Sequence, residues 1–381
     1  MKVFFVSTTS WNIYNSRMSL AKQFSQKGIE IVFVSPKDEF TQFLLDDGYR
    51  WINFPMQPRG KNIFRELFAI LFLIYIYKKE KPDIVNHFTP KGVIYGSLAA
   101  KLFKNIKKYN TITGLGTIFA NETSHHFLRR LVIFLYWIAL KQTIVIFQNN
   151  DNLDFFISKR ITGPKNSFFI PGSGIDTNRF VSSPEPEGVH CIVLLSSRFI
   201  EEKGLHYFVD ASRILLSQEK RIRFVLVGKP EDDQPTRIRH SEISQWVNEG
   251  VVEWWGWHNQ MEKIYPLANI VCLPTYYMEG IPKSLIEAAA CGRALISTDV
   301  PGCREIVHHG ENGILIPIKD AAALANAIST LCDNRQLRAE MGRKSREIAV
   351  SGYSIEKVAS MYYRLYNLED NSTSTSSLPL K

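Results

Sequence analysis

The sequence is short of cysteine and of long apolar runs, and each shortage excludes a class of protein. Its five cysteines are odd in number, lie in the second half of the 381-residue chain and show no CxxC spacing. This usage is typical of reduced thiols in a cytosolic protein and predicts neither a disulfide framework nor a metal site. The longest apolar runs, residues 67–77 and 131–140, have eleven and ten residues, whereas a membrane-spanning helix needs about 20. No transmembrane helix is therefore expected, and no signal peptide either, because no cleavable small-residue site follows the apolar first residues.

Acidic side chains are also scarce in the first half, which leaves the net charge of +9 unevenly distributed. Residues 1–180 carry 24 Lys and Arg against 12 Asp and Glu, a balance of +12, whereas residues 181–381 carry −3. A basic half favours an anionic partner such as a membrane surface, a phosphorylated lipid or a nucleic acid. Nucleic acid ranks last, because neither a base-reading basic helix nor an RNP-like motif is present. Lysines that only aid solubility are the alternative.

Strand and helix patterns alternate along the chain, which predicts parallel sheets covered by helices on both faces. Clusters of Pro, Gly and Ser at residues 171–176 and 182–188 interrupt this alternation as a hinge would. We predict an α/β protein of two doubly wound, Rossmann-like domains that face each other across a cleft. The predicted boundaries are 1–172 for the first domain, 173–188 for the hinge, 189–352 for the second domain, 353–368 for a last helix that could return to the first domain, and 369–381 for a disordered tail.

Two predicted helices of the first half, at residues 63–77 and 127–140, are apolar but too short to cross a bilayer. The basic residues that flank them are Arg65, Lys78, Lys79, Lys81, Arg129 and Arg130. An apolar body with basic ends suits a helix that lies in the lipid interface. Burial of both helices against the sheet is equally open, and we favour lipid contact for one of the two.

The stretch at residues 276–292 predicts a ligand site. It follows an apolar strand and contains a loop with Glu279, after which Pro282 opens a helix that Gly292 can end. The helix N-terminus then lies at the carboxyl end of a strand, where open α/β sheets bind ligands and where free N–H groups suit a diphosphate. Glu279 and Glu287 would repel phosphate, so we expect them to accept hydrogen bonds from sugar hydroxyls. A solvated helix glutamate beside a capping loop glutamate is an equally weighted alternative.

A second candidate site lies at the start of the second half. Arg198 and Lys203 flank a short loop between a predicted strand and a helix that begins near Gly204. Two cations beside a helix N-terminus favour one anion, and the guanidinium fork fits phosphate oxygens. On the residues alone, pairing of these cations with Glu201 and Glu202 is as well supported as phosphate binding.

The order of these motifs resembles the retaining GT-B glycosyltransferases of family four. The likeness is highly specific and covers nearly all of residues 168–335. Its motifs are Gly174-Ile175-Asp176-x3-Phe180, Arg198-x4-Lys203-Gly204, Phe224-Val225-Leu226-Val227-Gly228, Glu279-x7-Glu287, Pro301-Gly302-Cys303-Arg304-Glu305-Ile306 and Asn312-Gly313-Ile314-Leu315-Ile316-Pro317. The first half resembles, less specifically, a branch that extends lipid-linked bacterial surface glycans, through Thr8-Thr9-Ser10-Trp11-Asn12, Thr89-Pro90-Lys91 and Thr113-Gly114-Leu115-Gly116.

The resemblance implies a role for each motif of the second half. Arg198 and Lys203 would hold the donor diphosphate and stabilise the leaving nucleotide, Glu287 would bind the ribose hydroxyls, and Glu279 would contact the donor sugar. The other implied donor contacts are Gly280, Ile281, Ser284, Leu285 and, beside the base, Gly256. Retention by front-face attack, in which the leaving phosphate takes the acceptor proton, requires no side-chain base. The chain also lacks a clear DxD motif, so we expect neither a metal nor another cofactor.

The first half departs from the family pattern. Residues 7–17 contain no glycine where the family often has a glycine-containing loop, and Thr113 stands where the family often has histidine. The acceptor-side contacts are therefore inferred from charge and position. Arg17 and Lys91 would bind a phosphate of the acceptor, and His87 and Thr113 would line the cleft. A plain structural role at a strand end is at least as well supported for His87.

The expected activity is transfer of a hexose or N-acetylhexosamine from a UDP-sugar to a polyprenyl-diphosphate-linked glycan, in the biosynthesis of lipopolysaccharide, capsule or a related surface glycan. The first domain would bind the acceptor and the membrane, and the second the nucleotide sugar. The protein is expected in the cytoplasm, peripherally attached to the inner face of the cell membrane. Three alternatives stay open: a GDP-sugar donor, a non-catalytic membrane-bound subunit that recruits a partner transferase, and a sugar-nucleotide epimerase of the same architecture.

Overall fold

A computed structural model describes residues 1–58, 60, 62–114, 126–231, 234–277 and 280–368, which fold as two units. The first unit consists of Met1–Gly174 together with the chain from Ile355 onward, and the second of Ile175–Ser354. The predicted tail, residues 369–381, lies outside the described residues.

The first unit contains a seven-stranded parallel sheet in the order β3-β2-β1-β4-β5-β6-β7. Its strands are β1 (Lys2–Val6), β2 (Glu30–Ser35), β3 (Arg50–Asn53), β4 (Ile84–Phe88), β5 (Lys107–Ile112), β6 (Ile144–Phe147) and β7 (Ser167–Phe169). Its first helices are α1 (Ser10–Gln26), α2 (Thr41–Asp46), α3 (Ile63–Glu80), α4 (Pro90–Ala100), α5 (His126–Leu140) and α6 (Asn150–Ser158).

The second unit contains a six-stranded parallel sheet in the order β10-β9-β8-β11-β12-β13. Its strands are β8 (Cys191–Ser196), β9 (Ile222–Val227), β10 (Glu253–Trp254), β11 (Ile270–Leu273), β12 (Ala294–Thr298) and β13 (Gly313–Ile316). Its helices are α7 (Leu205–Ser217), α8 (His240–Asn248), α9 (Met261–Ile264), α10 (Lys283–Ala290), α11 (Cys303–Ile306), α12 (Ala321–Asp333) and α13 (Arg335–Tyr353). The last helix, α14 (Ile355–Tyr366), belongs to the first unit.

Helices cover both faces of the first sheet because its strands are apolar on both faces. Successive side chains of a strand point to opposite faces, so Phe5 packs in one core with Phe24 of α1 and Tyr362 of α14. Phe4 packs in a second core with Leu73 of α3. This second layer continues through α4, α5 and α6 over β5 and β6. None of the helices in the described part of the chain is both long enough and apolar enough to cross a membrane.

The start of α1 differs from the prediction. Hydrophobic periodicity predicts this helix only from Met18 onward, but it begins at Ser10. The cause is a side-chain cap, because the Thr9 hydroxyl accepts a hydrogen bond from the N–H of Asn12 at 3.1 Å. Arg17 consequently lies inside a helix and not in the loop after β1.

In both sheets the strand order reverses beside the first strand. β1 lies between β2 and β4, and β8 lies between β9 and β11. The loops that follow the two central strands diverge at such a reversal, and ligands of open α/β sheets bind at this carboxyl edge. In the second unit, the loops after β8 and β11 carry the two motifs singled out in the sequence, so the fold brings both motifs to one edge.

Candidate active site

The loops after β8 and β11 are held side by side by a glycine. Gly204 has φ +78°, and a Cβ at this position would lie 2.1 Å from the carbonyl oxygen of Pro274. The N–H of Tyr276 and the hydroxyl of Thr275 both donate to the carbonyl oxygen of Glu202, each at 2.9 Å. Only glycine allows this approach, so the turn that carries Lys203 is fixed against the loop that leads to α10.

Arg198 and Lys203 flank this turn. Lys203 is 8% exposed, and its Nζ lies 5.8 Å from the ring centroid of Tyr277. Arg198 is half-buried, and its Nη1 lies 3.2 Å from Oε2 of Glu231, in the loop after β9. Partial burial strengthens the attraction of these cations for an anion, and both lie where the β8 loop leads into α7.

Glu287 lies in the second turn of α10 and is 7% exposed. Its Oε2 accepts a hydrogen bond from the Tyr265 hydroxyl at 3.2 Å, and its Oε1 lies 2.8 Å from Nζ of Lys283. Burial and the charge of Glu287 raise the pKa of Tyr265 well above its usual value, so the hydroxyl stays a donor. The alternative of a solvated glutamate is therefore wrong for Glu287. A carboxylate has about four lone-pair sites, so the two contacts leave capacity for a pair of ligand hydroxyls.

Two further glycines join the loops of this edge. The N–H of Gly228, after β9, donates to the carbonyl oxygen of Gly256, after β10, at 2.8 Å. A Cβ on Gly228 would lie 2.1 Å from the carbonyl oxygen of Ser197. The loops after β8, β9 and β10 are thereby linked in a row, which places Gly256 on the same edge as Arg198.

The remaining predicted donor contacts lie around the start of α10. Gly280 and Ile281 are buried before Pro282, Ser284 is half-buried and Leu285 is buried in the core beneath the helix. Glu279 lies outside the described residues. The structure thus brings Arg198, Lys203, Glu287 and the start of α10 to one edge, and Glu279 stays a prediction.

The structure corrects the prediction that His87 lines a cleft. The side chain is fully buried in the first unit, where Nδ1 lies 2.9 Å from Oδ1 of Asn110 and Nε2 lies 2.9 Å from the hydroxyl of Tyr77. A Cβ added to Gly96 would lie 2.1 Å from the imidazole ring. Burial lowers the pKa of His87 to about 4, so this histidine is a neutral part of the core.

Lys91 is likewise held by the protein itself. Its Nζ lies 2.7 Å from Oε1 of Glu66, and it donates to the carbonyl oxygens of Gly60 at 2.7 Å and Gln57 at 3.2 Å. Three acceptors match the three donors of an ammonium group. The structure therefore assigns Lys91 to the contact between α3 and α4 in place of phosphate binding. Thr113 is half-buried just after β5.

Sequence reasoning missed the partners of the site residues. Lys283 precedes Glu287 by four residues, a spacing that predicts contact on a helix, so this pair was visible in the sequence. Tyr265 and Glu231 gave no such signal, since each is more than twenty residues from its partner. Among the described residues, no three His, Cys, Asp or Glu side chains lie close enough together to hold a metal ion.

Two parallel-sheet units define the GT-B class of glycosyltransferases. In this chain the second unit carries two cations and a buried carboxylate where its strand order reverses. Solved structures share this fold. Sucrose-phosphate synthase from Thermosynechococcus elongatus matches with a TM-score of 0.80 and 20% identity, over 96% of this chain and 98% of that chain. Anabaena HepE in complex with UDP matches with a TM-score of 0.78 and 18% identity, over 96% and 100%. The predicted α/β fold class with two Rossmann-like domains is confirmed.

Family comparisons agree with the fold. The family "Glycosyl transferases group 1" matches residues 190–334, and "Glycosyl transferase 4-like" matches residues 2–150. The second half of the chain therefore has a group 1 glycosyltransferase domain, as the motifs predicted, and the protein is a glycosyltransferase.

Two curated relatives match over most of their length. The N,N'-diacetylbacillosaminyl-diphospho-undecaprenol alpha-1,3-N-acetylgalactosaminyltransferase of Campylobacter jejuni is 28% identical over 96% of this chain and 98% of its own length. The UDP-Gal:alpha-D-GlcNAc-diphosphoundecaprenol alpha-1,3-galactosyltransferase of Escherichia coli is 24% identical over 84% of each chain.

Proposed function

We propose that this chain is a retaining transferase that moves a hexose or N-acetylhexosamine from a UDP-sugar to a polyprenyl-diphosphate-linked glycan. The observation that carries the proposal is the position of Arg198, Lys203 and Glu287 on both sides of the β8–β11 reversal. The names of the two relatives support the acceptor class, since both act on sugars linked to diphospho-undecaprenol. Both names also specify an α-1,3 linkage, and an α-linked product from an α-linked UDP-sugar means retention.

Each site residue has a separate task in this proposal. Arg198 and Lys203 bind the diphosphate of the donor and stabilise the negative charge that UDP gains as the bond to the sugar breaks. The Glu287 carboxylate, held by Tyr265 and Lys283, accepts hydrogen bonds from the ribose hydroxyls.

The chemistry itself needs few protein groups. The acceptor hydroxyl attacks the anomeric carbon from the face that UDP leaves, and the leaving phosphate oxygen takes the hydroxyl proton. The side-chain cations supply the positive charge that a metal ion would otherwise supply, so we expect no metal cofactor. Glu279 is proposed to contact the donor sugar.

The test is a transfer assay with the purified full chain and a synthetic polyprenyl-diphosphate N-acetylhexosamine in mixed vesicles. A panel of UDP-sugars and GDP-mannose is offered one at a time, and the product is analysed by NMR. One UDP-sugar should be transferred, with an α linkage in the product. A β-linked product would overturn retention, and turnover of the GDP-sugar alone would overturn the UDP assignment.

We also infer that the first unit binds the surface of an anionic bilayer. Along α3, large apolar side chains recur at helical spacing and are 55–79% exposed: Ile63, Phe64, Leu67, Phe68, Leu71 and Tyr75. Along α5, a second such stripe is 40–82% exposed: Phe127, Leu128, Leu131, Phe134 and Trp137. The opposite faces of both helices pack toward the sheet, in the layer that α4 completes. The two apolar stripes therefore lie on the outside of one helical layer.

Charge favours a bilayer as the partner of these stripes. Arg65, Lys78 and Lys79 of α3 and Arg130 of α5 are exposed beside the apolar side chains. Basic residues near a membrane surface contribute about 1 kcal/mol each through anionic lipid headgroups, and aromatic and leucine side chains enter the headgroup boundary. A lipid-linked acceptor requires the enzyme to work at that surface, so we place the protein peripherally on the inner face of the cell membrane.

Vesicle sedimentation tests the bilayer proposal. The chain should sediment with phosphatidylglycerol vesicles and bind much less to phosphatidylcholine vesicles. High salt should weaken the electrostatic part, because screening shortens the reach of the basic residues. Equal recovery in the supernatant with and without anionic vesicles would contradict the proposal.

A further inference from the structure

Arg17 occupies a core position of the first unit. It lies on the sheet-facing side of α1 with Ile13, Leu20 and Phe24, which are all fully buried. Arg17 itself is 1% exposed. Its Nε and Nη1 atoms are buried and have no hydrogen-bond partner among the residues that the structure describes. A charged side chain thus stands where the helix pattern calls for an apolar one.

The surroundings of Arg17 stabilise a cation only in part. The guanidinium carbon lies 4.3 Å from the ring centroid of Phe88, and a ring face attracts a cation without accepting its N–H bonds in the plane of the guanidinium. Burial lowers the pKa of Arg17, and the phenols of Tyr362 and Tyr366 oppose this shift. The Tyr366 hydroxyl already accepts a hydrogen bond from Nδ2 of Asn86 at 2.7 Å. No ion pair between described residues includes Arg17.

A second buried arginine shows how this chain satisfies a structural guanidinium. Arg293 of the second unit is fully buried, and it donates to the carbonyl oxygens of Ala268 at 3.0 Å and Cys291 at 3.1 Å. It also donates to the Ser183 hydroxyl at 3.0 Å. Arginine keeps its charge in proteins, and a buried charge without partners is unfavourable compared with an apolar side chain of similar length. The unpaired nitrogens of Arg17 therefore indicate a partner that the described residues of the chain do not supply.

The position of Arg17 indicates where that partner enters. Phe88, which lies against the guanidinium, is the last residue of β4. β4 is the strand beside β1 at the reversal of the first sheet, and the carboxyl edge at a reversal is the ligand edge of such sheets. The planar fork of a guanidinium matches two oxygens of one phosphate group.

We propose that Arg17 is the anion-binding residue of the first unit and that it binds a phosphate group at the carboxyl edge beside β4. This inference rests on the proposed function for the source of that phosphate, which is the diphosphate of the lipid-linked acceptor. Because Arg17 is 1% exposed, the phosphate draws the guanidinium away from the Phe88 ring by a change of side-chain torsions. Free pyrophosphate has the same chemistry, so both sources are compared in the test.

The first measurement compares the melting temperatures of two variants without ligand. Arg17→Met removes a buried charge that has no hydrogen-bond partner for Nε and Nη1 among the described residues, so its melting temperature should rise by a few degrees above that of the wild type. Arg293→Met, the matched control, leaves buried carbonyl oxygens without donors and should lower the melting temperature. A loss of stability in Arg17→Met similar to that in Arg293→Met would assign Arg17 a structural role and overturn the inference.

The second measurement adds ligands in the presence of saturating UDP, which occupies any diphosphate site of the second unit. Farnesyl diphosphate and inorganic pyrophosphate are the probes. A shift of the wild type with either probe, absent in Arg17→Met, supports the inference, and a shift with farnesyl diphosphate alone identifies the lipid as the source. Equal shifts in wild type and variant, or no shift of the wild type with either probe, would overturn it. The UDP shift itself should be the same in both proteins.

The transfer assay separates this inference from the proposed function. Arg17→Met should raise the KM for the lipid-linked acceptor at least tenfold and change the KM for the donor less than twofold. Arg17→Lys, which keeps the charge but loses the fork, should give an intermediate KM and serves if Arg17→Met fails to fold. If no lipid-linked acceptor is used but the pyrophosphate shift still depends on Arg17, the proposed acceptor fails and the anion site stands.

Discussion

The two units share a strand plan but use its carboxyl edge in opposite ways. In each, the sheet reverses beside its first strand, at β1–β4 and at β8–β11. In the second unit, glycines bring the loops together and cations remain at the edge, with Arg198 half-buried. In the first unit, the polar side chains at the ends of β4 and β5 turn inward, and Asn86, His87 and Asn110 are fully buried. The same strand order thus carries two cations at the edge of the second sheet and, in the first unit, a buried polar layer beside the buried Arg17.

The outer surfaces of the units differ as well. The exposed large apolar side chains in the described part of the second unit are scattered along the sequence, as single exposed apolar residues commonly are: Val181, Val189, Val247, Trp257, Leu267, Ile318 and Val350. Of the fifteen that the described part of the first unit exposes, eleven lie on α3 and α5 and form the two apolar stripes. Contiguous apolar surface marks an interaction site. This difference supports the two proposals, chemistry for the second unit and bilayer attachment for the first.

The largest expected effect follows from substituting the charged site. Lys203→Ala should lower kcat/KM by about 10²–10³, since one lost electrostatic contact to a transition state costs about 3–4 kcal/mol. Glu287→Ala should lower it by about 10–10² through weaker donor binding, since a hydrogen bond to a charged group contributes about 1.5–3 kcal/mol. The measurement is the transfer assay with the UDP-sugar that the wild type uses. Lys220→Ala is the matched control, because Lys220 pairs with Asp333 at 2.6 Å on the same unit but outside the site. Near-normal activity in a folded Lys203→Ala or Glu287→Ala protein would end the assignment of chemistry to this edge.

The next prediction tests the buried polar layer of the first unit. Burial lowers the pKa of His87 to about 4 from its ordinary value of 6.5. The folded state therefore holds the neutral imidazole, so its contribution to stability is complete above pH 6.5 and is lost as the pH falls toward 4. Because a tenfold change in proton affinity corresponds to about 1.4 kcal/mol, the loss is about 3 kcal/mol in the free energy of unfolding. Urea unfolding between pH 7 and pH 4 measures it.

Two variants separate the contribution of His87 to the pH dependence of stability from the contribution of the carboxylates, which titrate over the same pH range. His87→Gln cannot gain a proton, so its stability should fall less steeply with decreasing pH than that of the wild type. His190→Gln, at an exposed position of the second unit, should follow the wild-type curve. If the free energy of unfolding of wild type and His87→Gln fell in parallel with decreasing pH, His87 would take up a proton in the folded state as readily as in the unfolded state. That result would contradict its burial.

The edge of the second unit with Arg198, Lys203 and Glu287 was more predictable from the sequence than the positions of His87 and Lys91 in the first unit, for a physical reason. Arg198, Lys203 and Glu287 stand at fixed distances from strand ends and helix starts, and short-range geometry places such residues. The burial of His87 depends on Tyr77 and Asn110, which lie on other elements 10 and 23 residues away. A sequence pattern does not show which polar side chain at a strand end turns inward.

The same reasoning explains the differences at Lys91 and in α1. The ammonium of Lys91 meets Glu66, 25 residues earlier, so charge alone predicted a phosphate ligand and missed the ion pair. The first two turns of α1 contain Ser10, Asn12 and Ser16, whose side chains compete with helical hydrogen bonds. Periodicity therefore began at Met18, although the Thr9 cap and the packing of Ile13 extend the helix back to Ser10. The alternating strand and helix pattern, which depends on the local period, was confirmed in both units.

The smallest expected effect tests the attachment surface. Leu67→Glu together with Leu71→Glu places two negative charges in the α3 stripe, where both side chains are 55% exposed. The loss of apolar contact and the repulsion by anionic headgroups should lower partitioning onto phosphatidylglycerol vesicles about tenfold or more, a change of at least about 1.4 kcal/mol. Turnover with a short-chain, water-soluble acceptor should stay within twofold of wild type, because Arg198, Lys203 and Glu287 are unchanged.

A substitution on the second unit completes this test. Val247→Glu alters an exposed apolar side chain of α8 that has no apolar stripe around it, so vesicle partitioning should not change beyond the effect of one added negative charge. If Val247→Glu weakens partitioning as much as the α3 double substitution, net charge alone governs binding and the apolar stripes have no special part. If only the α3 variant dissociates, the first unit holds the enzyme at the bilayer, and the difference between the two outer surfaces has a functional cause.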